Sequence, residues 1–403
     1  MSEGRILFRR TLDERTVSRG PGEPPAAVVP LRMGTAGLGL LVNDHREATR
    51  ILSDVETYGS AGELMASVFD EPDEAHPDEA HPDEAHPDGS HPHAASEEVF
   101  AVNQTDGEEH RRVRRALRRV IDTRVRDVSD QLIQDVRQAV GSALALGRLD
   151  AVASIGVPVA DSVMSRLLGL DEKLVSALRA AVYGGYPVRE LDATLVDWVR
   201  DRRARPADDL VSDLMAQLPS LDDRQVAANT RLLALSGVEV LAALITNGIL
   251  CLAQDPKTQS LVRDDETLLP GLVHEVQRYA SPIARGIYRM SKETSVIGGY
   301  AVPAGTLLVI GVDVCNRDTS ALPDAHRFDP TRGRDFEYLT FGRGKHSCLG
   351  IPVTRLVAAQ ALRVFLSGTT SFGLTVEPSE LRFHDTAVMN GLVELPIWVE
   401  CAN

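Results

Sequence analysis

The sequence predicts a mainly α-helical protein with a small β-rich portion, and three observations lead there. From Asp127 to Leu168 and from Glu172 to Leu218 apolar residues recur at helical spacing with few strand signals, and a further long helix follows from Asp222 to Ala253. Short apolar stretches punctuated by Gly and Pro lie toward the ends, at residues 26–42 and 374–399. The 403 residues are 43% hydrophobic and 25% charged, ordinary for a globular chain with a large core; length alone allows two or three domains.

The formal charge of −15 argues against nucleic acid as the main partner. The four cysteines, Cys251, Cys315, Cys348 and Cys401, include no Cys-x-x-Cys pair, so neither a disulfide framework nor a zinc site is expected. Met1 to Asp13 is polar and charged, and no run approaches the ~18 apolar residues of a membrane span. A cytoplasmic protein without membrane contact is the expectation.

In chain order, residues 26–42 suggest a small sheet and His45 to Leu52 a short helix. Pro-Asp-Glu-Ala-His then occurs three times from Pro72 to His86, followed by Pro-Asp-Gly-Ser-His and Pro92-His93. A Pro in every five residues forbids an α-helix, and the stretch is too polar to bury, so 70–93 reads as a low-complexity insertion in a solvated loop. His76, His81, His86, His91 and His93 raise metal binding as an alternative to repeat expansion without function.

From His110 to Arg126 a helix carries eight arginines. His110, Val113, Arg114, Leu117 and Ile121 share one face, with Arg112, Arg115 and Arg119 opposite. Two cations among apolar neighbours demand a buried anion. The outer arginines are either a solvated face or a docking patch for an acidic partner. In the long helix, Leu235-Ser236-Gly237-Val238-Glu239-Val240 reads on its own as a buried segment with one Gly at a packing contact. Glu275 and Arg278 form an i,i+3 pair on a helix from Gly271 to Ala280. Arg289, followed by Gly298-Gly299 and Pro303-Ala304-Gly305, fits a strand and hairpin.

Phe341 to Gly350 reads Phe-Gly-Arg-Gly-Lys-His-Ser-Cys-Leu-Gly, a tight loop with three glycines. Cys348 precedes a helix extending to Ser367, with Pro352 near its start, and the positive helix end favours a thiolate. A lone thiolate in a glycine-walled loop suits an axial haem ligand; a buried, inert Cys is the plain alternative. Phe341, Gly344, His346, Cys348 and Gly350 all fit Phe-x-x-Gly-x-His-x-Cys-x-Gly, which resembles the haem-binding loop of the cytochrome P-450 family.

The resemblance covers the chain apart from the repeat, and implies a single domain, 1–403, folded as a helical triangular prism binding haem b (iron protoporphyrin IX) through Cys348. It places His110, Arg114, Arg289 and His346 on the propionates, and Phe341, Gly344 and Gly350 around the ligand loop. Glu275 and Arg278 match the family's Glu-x-x-Arg, with Arg327 in Pro323-Asp-Ala-His-Arg327-Phe as its third member. Residues 70–93 fall in the family's substrate-lid loop, and the turn from Thr386 to Met389 is expected to project into the pocket.

Gly237 and Glu239 match the family's Ala/Gly-Gly-x-Asp/Glu-Thr, but Val240 stands at the Thr position. Val keeps the shape and loses the hydroxyl that helps deliver protons to dioxygen. Ser236, one turn earlier on the same face, supplies a replacement, and Glu239 is assigned with it to the relay. The implied activity is monooxygenation of a small hydrophobic natural-product intermediate by a monomer. Ferredoxin and ferredoxin reductase supply the electrons. The alternatives are coupling, desaturation or peroxide-driven oxidation, and a non-catalytic haem sensor.

Overall fold

The computed structural model describes residues 26–32, 38–62, 101–182, 187–386 and 388–402. The repeat at 70–93 lies outside them. The N-terminal part holds β1 (Val28–Arg32), β2 (Leu38–Val42), α1 (His45–Ser53) and β3 (Tyr58–Gly59). Helices α2 (Gly107–Asp127) and α3 (Ser129–Leu144) follow, then β4 (Arg148–Asp150), α4 (Val157–Leu168), α5 (Glu172–Val182), α6 (Val188–Ala204) and α7 (Leu210–Gln217). The long helix is α8 (Asp223–Ala253), followed by α9 (Pro256–Asp264) and α10 (Leu269–Tyr279). Strands β5 (Ile287–Ser291), β6 (Ser295–Ile297), β7 (Tyr300–Val302) and β8 (Leu307–Ile310) precede the short α11 (Val312–Cys315). The chain closes with α12 (Ile351–Ser367), β9 (Thr369–Leu374) and β10 (Pro396–Cys401).

Helix starts follow local chemistry. Asp222 caps α8 with a reciprocal capping box to Gln225, Asp209 caps α7 through the Ser212 N–H, and Asp44 caps α1 through the Glu47 N–H. Helix α8 is the axis of the core. Nearly every side chain from Leu241 to Leu252 is buried, and α4, α5, α6, α10 and α12 pack around it. Among the described residues it is the one unbroken helix long and apolar enough to cross a membrane, and most of it is buried inside the protein.

The larger sheet has the order β1-β2-β8-β5-β3, antiparallel except for the β2/β8 pair. It carries Arg289 on β5 toward the site. Two sequence expectations need correction. The periodic stretch 127–168 is interrupted by β4, which pairs with β10, and by a widened helical turn at Val152–Gly156. That turn seats Gly156 on α8, where a Cβ would lie 2.7 Å from Thr246 Cγ2 and 3.0 Å from the Ala242 carbonyl. At the C-terminal end the hairpin strands are β9 and β10. Residues between them make only isolated bridges, Phe383 with Leu392 and Ile283 with Met389, because the span serves to cover the core rather than extend the sheet.

Candidate haem-thiolate site

A cavity of about 440 Å³ lies between α8 and the loop before α12. Cys348 lines it. The loop is closed by backbone bonds, the Cys348 N–H to the Phe341 carbonyl at 2.8 Å and the Ser347 N–H to the Gly344 carbonyl at 3.1 Å. Gly344 is required twice over: its φ is +71°, and a Cβ would lie 2.5 Å from the Leu52 carbonyl oxygen. Gly350, just before α12, donates its N–H to Cys348 Sγ at 3.2 Å. Burial pushes the Cys348 thiol up, while the Gly350 N–H, Arg114 and the Ile351 N–H pull toward the thiolate. Phe341 stacks under the Arg355 guanidinium, 5.7 Å from its ring centre, and so fixes the loop to α12.

A cluster of nitrogen donors forms one corner of this cavity. Arg114 reaches the Ser347 carbonyl and, at 3.1 Å, the Ser347 hydroxyl. Arg289 is buried and donates to the Tyr288 carbonyl at 2.7 Å; burial pushes its guanidinium down to about 10. His346 Nε2 bonds Asp106 Oδ1 at 3.0 Å, and Lys345 Nζ bonds the same oxygen at 2.8 Å. His110 does not line the cavity; it sits one layer behind, its ring 4.3 Å from that of His346. Burial, then the neighbouring His346 and Arg114, push His110 down to about 4, so it is neutral.

His110 Nε2 and His346 Nδ1 are buried without a hydrogen-bond partner among the described residues. Buried donors this close to Arg114 and Arg289 call for an anion that the protein does not provide. Arg114 and Arg289 line the cavity as permanent cations, while Asp106, beside it, is bonded to His346 and Lys345. The residues therefore fit iron protoporphyrin, with Cys348 as the iron's thiolate and this corner as the propionate cradle.

On the opposite wall, Ser236, Gly237 and Val240 line the cavity. Ser236 makes no side-chain hydrogen bond among the described residues, while a Cβ on Gly237 would collide with the Met164 thioether. Glu239 is absent from that wall. Its carboxylate turns toward α5, 3.8 Å from Arg179, which also bonds Asp161 of α4. The turn is set by that buried cation, not by helical spacing.

The Glu275–Arg278 pair is fully buried, at 2.7 and 2.8 Å. Its third partner is Arg332, whose Nε is 3.5 Å from Glu275, and not Arg327. Arg327 gives Arg278 its carbonyl at 3.0 Å, while its side chain is exposed beside Asp329. The Phe328–Pro330 turn reverses which of the two guanidinium groups faces inward. Sequence reasoning also missed Tyr288, which lines the cavity, and Asp106 and Lys345, which meet His346 beside it. Lys345 was in plain view inside the loop; the other two carry no local signal. Met389 bridges Ile283, a residue of the cavity lining, and the Val388 carbonyl accepts the Ala284 N–H at 2.9 Å.

Fold and site together define a helical protein built to hold a metalloporphyrin by a cysteine thiolate. A sequence profile of the family described as Cytochrome P450 matches residues 192–368. The chain is 30% identical over 321 residues to 6-deoxyerythronolide B hydroxylase of Saccharopolyspora erythraea, covering 74% of this chain and 78% of that one. It is 29% identical over 311 residues to cytochrome P450 monooxygenase PikC of Streptomyces venezuelae, covering 73% and 74%. The fold is similar to that of cytochrome P450 CYP109Q5 from Chondromyces apiculatus, with a TM-score of 0.76 at 22% identity over 93% and 92% of the two chains. Tirandamycin C-bound P450 monooxygenase TamI gives 0.76 at 23% identity over 93% and 94%. The chain belongs to the cytochrome P450 family and is a haem-iron oxidoreductase of the monooxygenase class.

Proposed function

We propose that this chain is a haem b monooxygenase acting on a small hydrophobic natural-product intermediate in the cytoplasm, as a monomer fed by ferredoxin and ferredoxin reductase. The observation that carries the reading is Cys348 on a cavity that Arg114, Arg289 and His346 also line. In this reading Cys348 ligates the iron, Arg114, Arg289 and His346 hold the propionates, and His110 backs His346. When bound, a thiolate-ligated haem supplies dioxygen activation. The substrate class is supported by an apolar lining that includes Leu167, Leu232, Leu241, Ile283 and Ile287. It also agrees with the names of relatives: a 6-deoxyerythronolide B hydroxylase and a structure bound to tirandamycin C. Arg111, Arg115, Arg118 and Arg119 are exposed on α2 and suit an acidic electron donor.

The protein's own part in the chemistry is proton handling and exclusion of water. Ser236 Oγ is the hydroxyl on the cavity wall that takes the place of the one Val240 lacks, moving a proton through one water. Glu239, 3.8 Å from Arg179, is the acid assigned with Ser236 to this relay. Because the relay is this thin, coupling, desaturation or peroxide-driven oxidation is the second reading, favoured by Val240 itself. Product analysis with labelled dioxygen separates insertion from electron removal alone.

The test of the main reading is spectroscopic. The reduced, carbon monoxide-bound protein is expected to show the red-shifted Soret band of thiolate ligation, and Cys348→His to lose it. A variant spectrum identical to wild type overturns the assignment.

A further inference from the structure

Asp106 occupies the N-cap position of α2, yet its side chain does not cap that helix. An Asp there ordinarily accepts a bond from the second or third backbone N–H of its own helix, and losing that bond costs about 1 kcal/mol. Here Gly107, with φ +72°, turns the chain so that the carboxylate aims elsewhere. Oδ2 accepts the Ser60 N–H at 2.7 Å, and Oδ1 accepts His346 Nε2 at 3.0 Å and Lys345 Nζ at 2.8 Å. Burial opposes its ionisation, but the bonds from His346, Lys345 and Ser60 outweigh it and hold the carboxyl well below the usual range.

The three donors come from two places that the sequence keeps far apart. Ser60 lies on the near side of residues 63–100, and Asp106 on the far side. The two sides meet again where the Ser60 hydroxyl bonds the Asn103 carbonyl at 3.3 Å, and where Gly62 lies so close to Gln104 that a Cβ would collide with it. This neck forms part of the cavity wall through Ser60, Gly62, Asn103 and Gln104. Lys345 and His346 belong to the loop that presents Cys348.

We propose that Asp106 is a positioning residue: its one carboxylate fastens the neck of the 63–100 segment to the haem loop, so that the propionate cradle and the cavity wall are held in register. The neck is closed at its base by the Ser60–Asn103 bond. The proposal rests on the haem reading above.

The sign of one experiment separates positioning from plain electrostatics. If Asp106 acted only as a charge, Asp106→Asn would remove an anion beside the propionates and slow haem loss. Positioning gives the opposite sign. For the holoenzyme, transfer of haem to apomyoglobin is expected to be about tenfold faster in Asp106→Asn, the worth of one charge-assisted hydrogen bond. Amide exchange at Ser60 is expected to accelerate with it. Lys345→Met is expected to give a smaller acceleration, and the double variant to lose haem no faster than Asp106→Asn alone, because both changes break one junction.

Transfer at or below the wild-type rate, or additive effects in the double variant, overturns the proposal. If Asp106→Asn does not fold, Asp106→Glu keeps the charge and misplaces it: faster transfer supports positioning, and an unchanged rate overturns it. Should the wild type take up no haem, the haem reading fails, and Ser60 exchange still decides the junction: unchanged protection in Asp106→Asn overturns it.

Discussion

Arg278→Lys tests how the buried ion pair reaches the thiolate loop. All five N–H donors of Arg278 are used: two on Glu275, two on the Asn316 and Ala325 carbonyls, one on the Arg327 carbonyl. Both charged side chains are nearly inaccessible, at 1% and 2% exposure. A lysine ammonium has three donors and no fork, so at least two of these acceptors are left unpaired in the interior. At about 1–3 kcal/mol for each orphaned group, the expected loss is roughly 3–5 kcal/mol, a large share of the ~5–15 kcal/mol that holds a domain folded. The damage has a direction. Asn316, whose carbonyl Arg278 holds, accepts the Leu339 N–H at 2.7 Å and donates to the Thr340 hydroxyl at 3.0 Å, the two residues just before Phe341. Urea unfolding followed by circular dichroism and by haem absorbance is therefore expected to show both midpoints falling together in Arg278→Lys. A midpoint within about 1 kcal/mol of wild type would refute this account of the pair.

The other predictions concern the relay, pH and the insertion. Ser236→Ala is expected to lower product formation and raise peroxide release, with Val240→Thr neutral or better coupled; a silent Ser236→Ala removes the relay and favours the peroxide-driven reading if peroxide alone sustains full activity. Burial, then Arg355, Arg334 and Arg278, push His274 from 6.5 down to about 4. The unfolded chain thus binds a proton between pH 6.5 and 4 that the folded chain refuses, so this site costs stability as pH falls through that window. His274→Gln is expected to lose less stability than wild type between pH 7 and 5 in urea titrations, and a constant difference between the two would count against it. Deleting 72–93 is expected to leave haem content and melting temperature nearly unchanged, since described residues close the neck; loss of haem on deletion would show the segment to be structural.

What the sequence made legible was whatever depends on local spacing. The Cys348 loop, the Glu275–Arg278 pair and the shared face of Ser236 and Val240 each follow from a loop pattern or a helical step, and the structure brings them where that spacing requires. The misses share one physical cause: a partner distant in sequence decided the outcome. His110 and Arg114 are one turn apart on α2, but Arg114 lines the cavity while His110 packs on the ring of His346. Arg327 and Arg332 are five residues apart in an irregular turn, where no period says which side chain faces in.

Glu239 shows how much mechanism can hang on such a contact. Helical geometry places it 60° from Ser236, near enough for either wall. Arg179, on α5, stands 3.8 Å from it and also bonds Asp161 of α4, so the pair links α8 to α5 and α4. A carboxylate held this way is spared the cost of an unpaired buried charge, but only while it stays turned from the cavity. The carboxylate thus stands beside the cation of α5, while Ser236 lines the cavity wall.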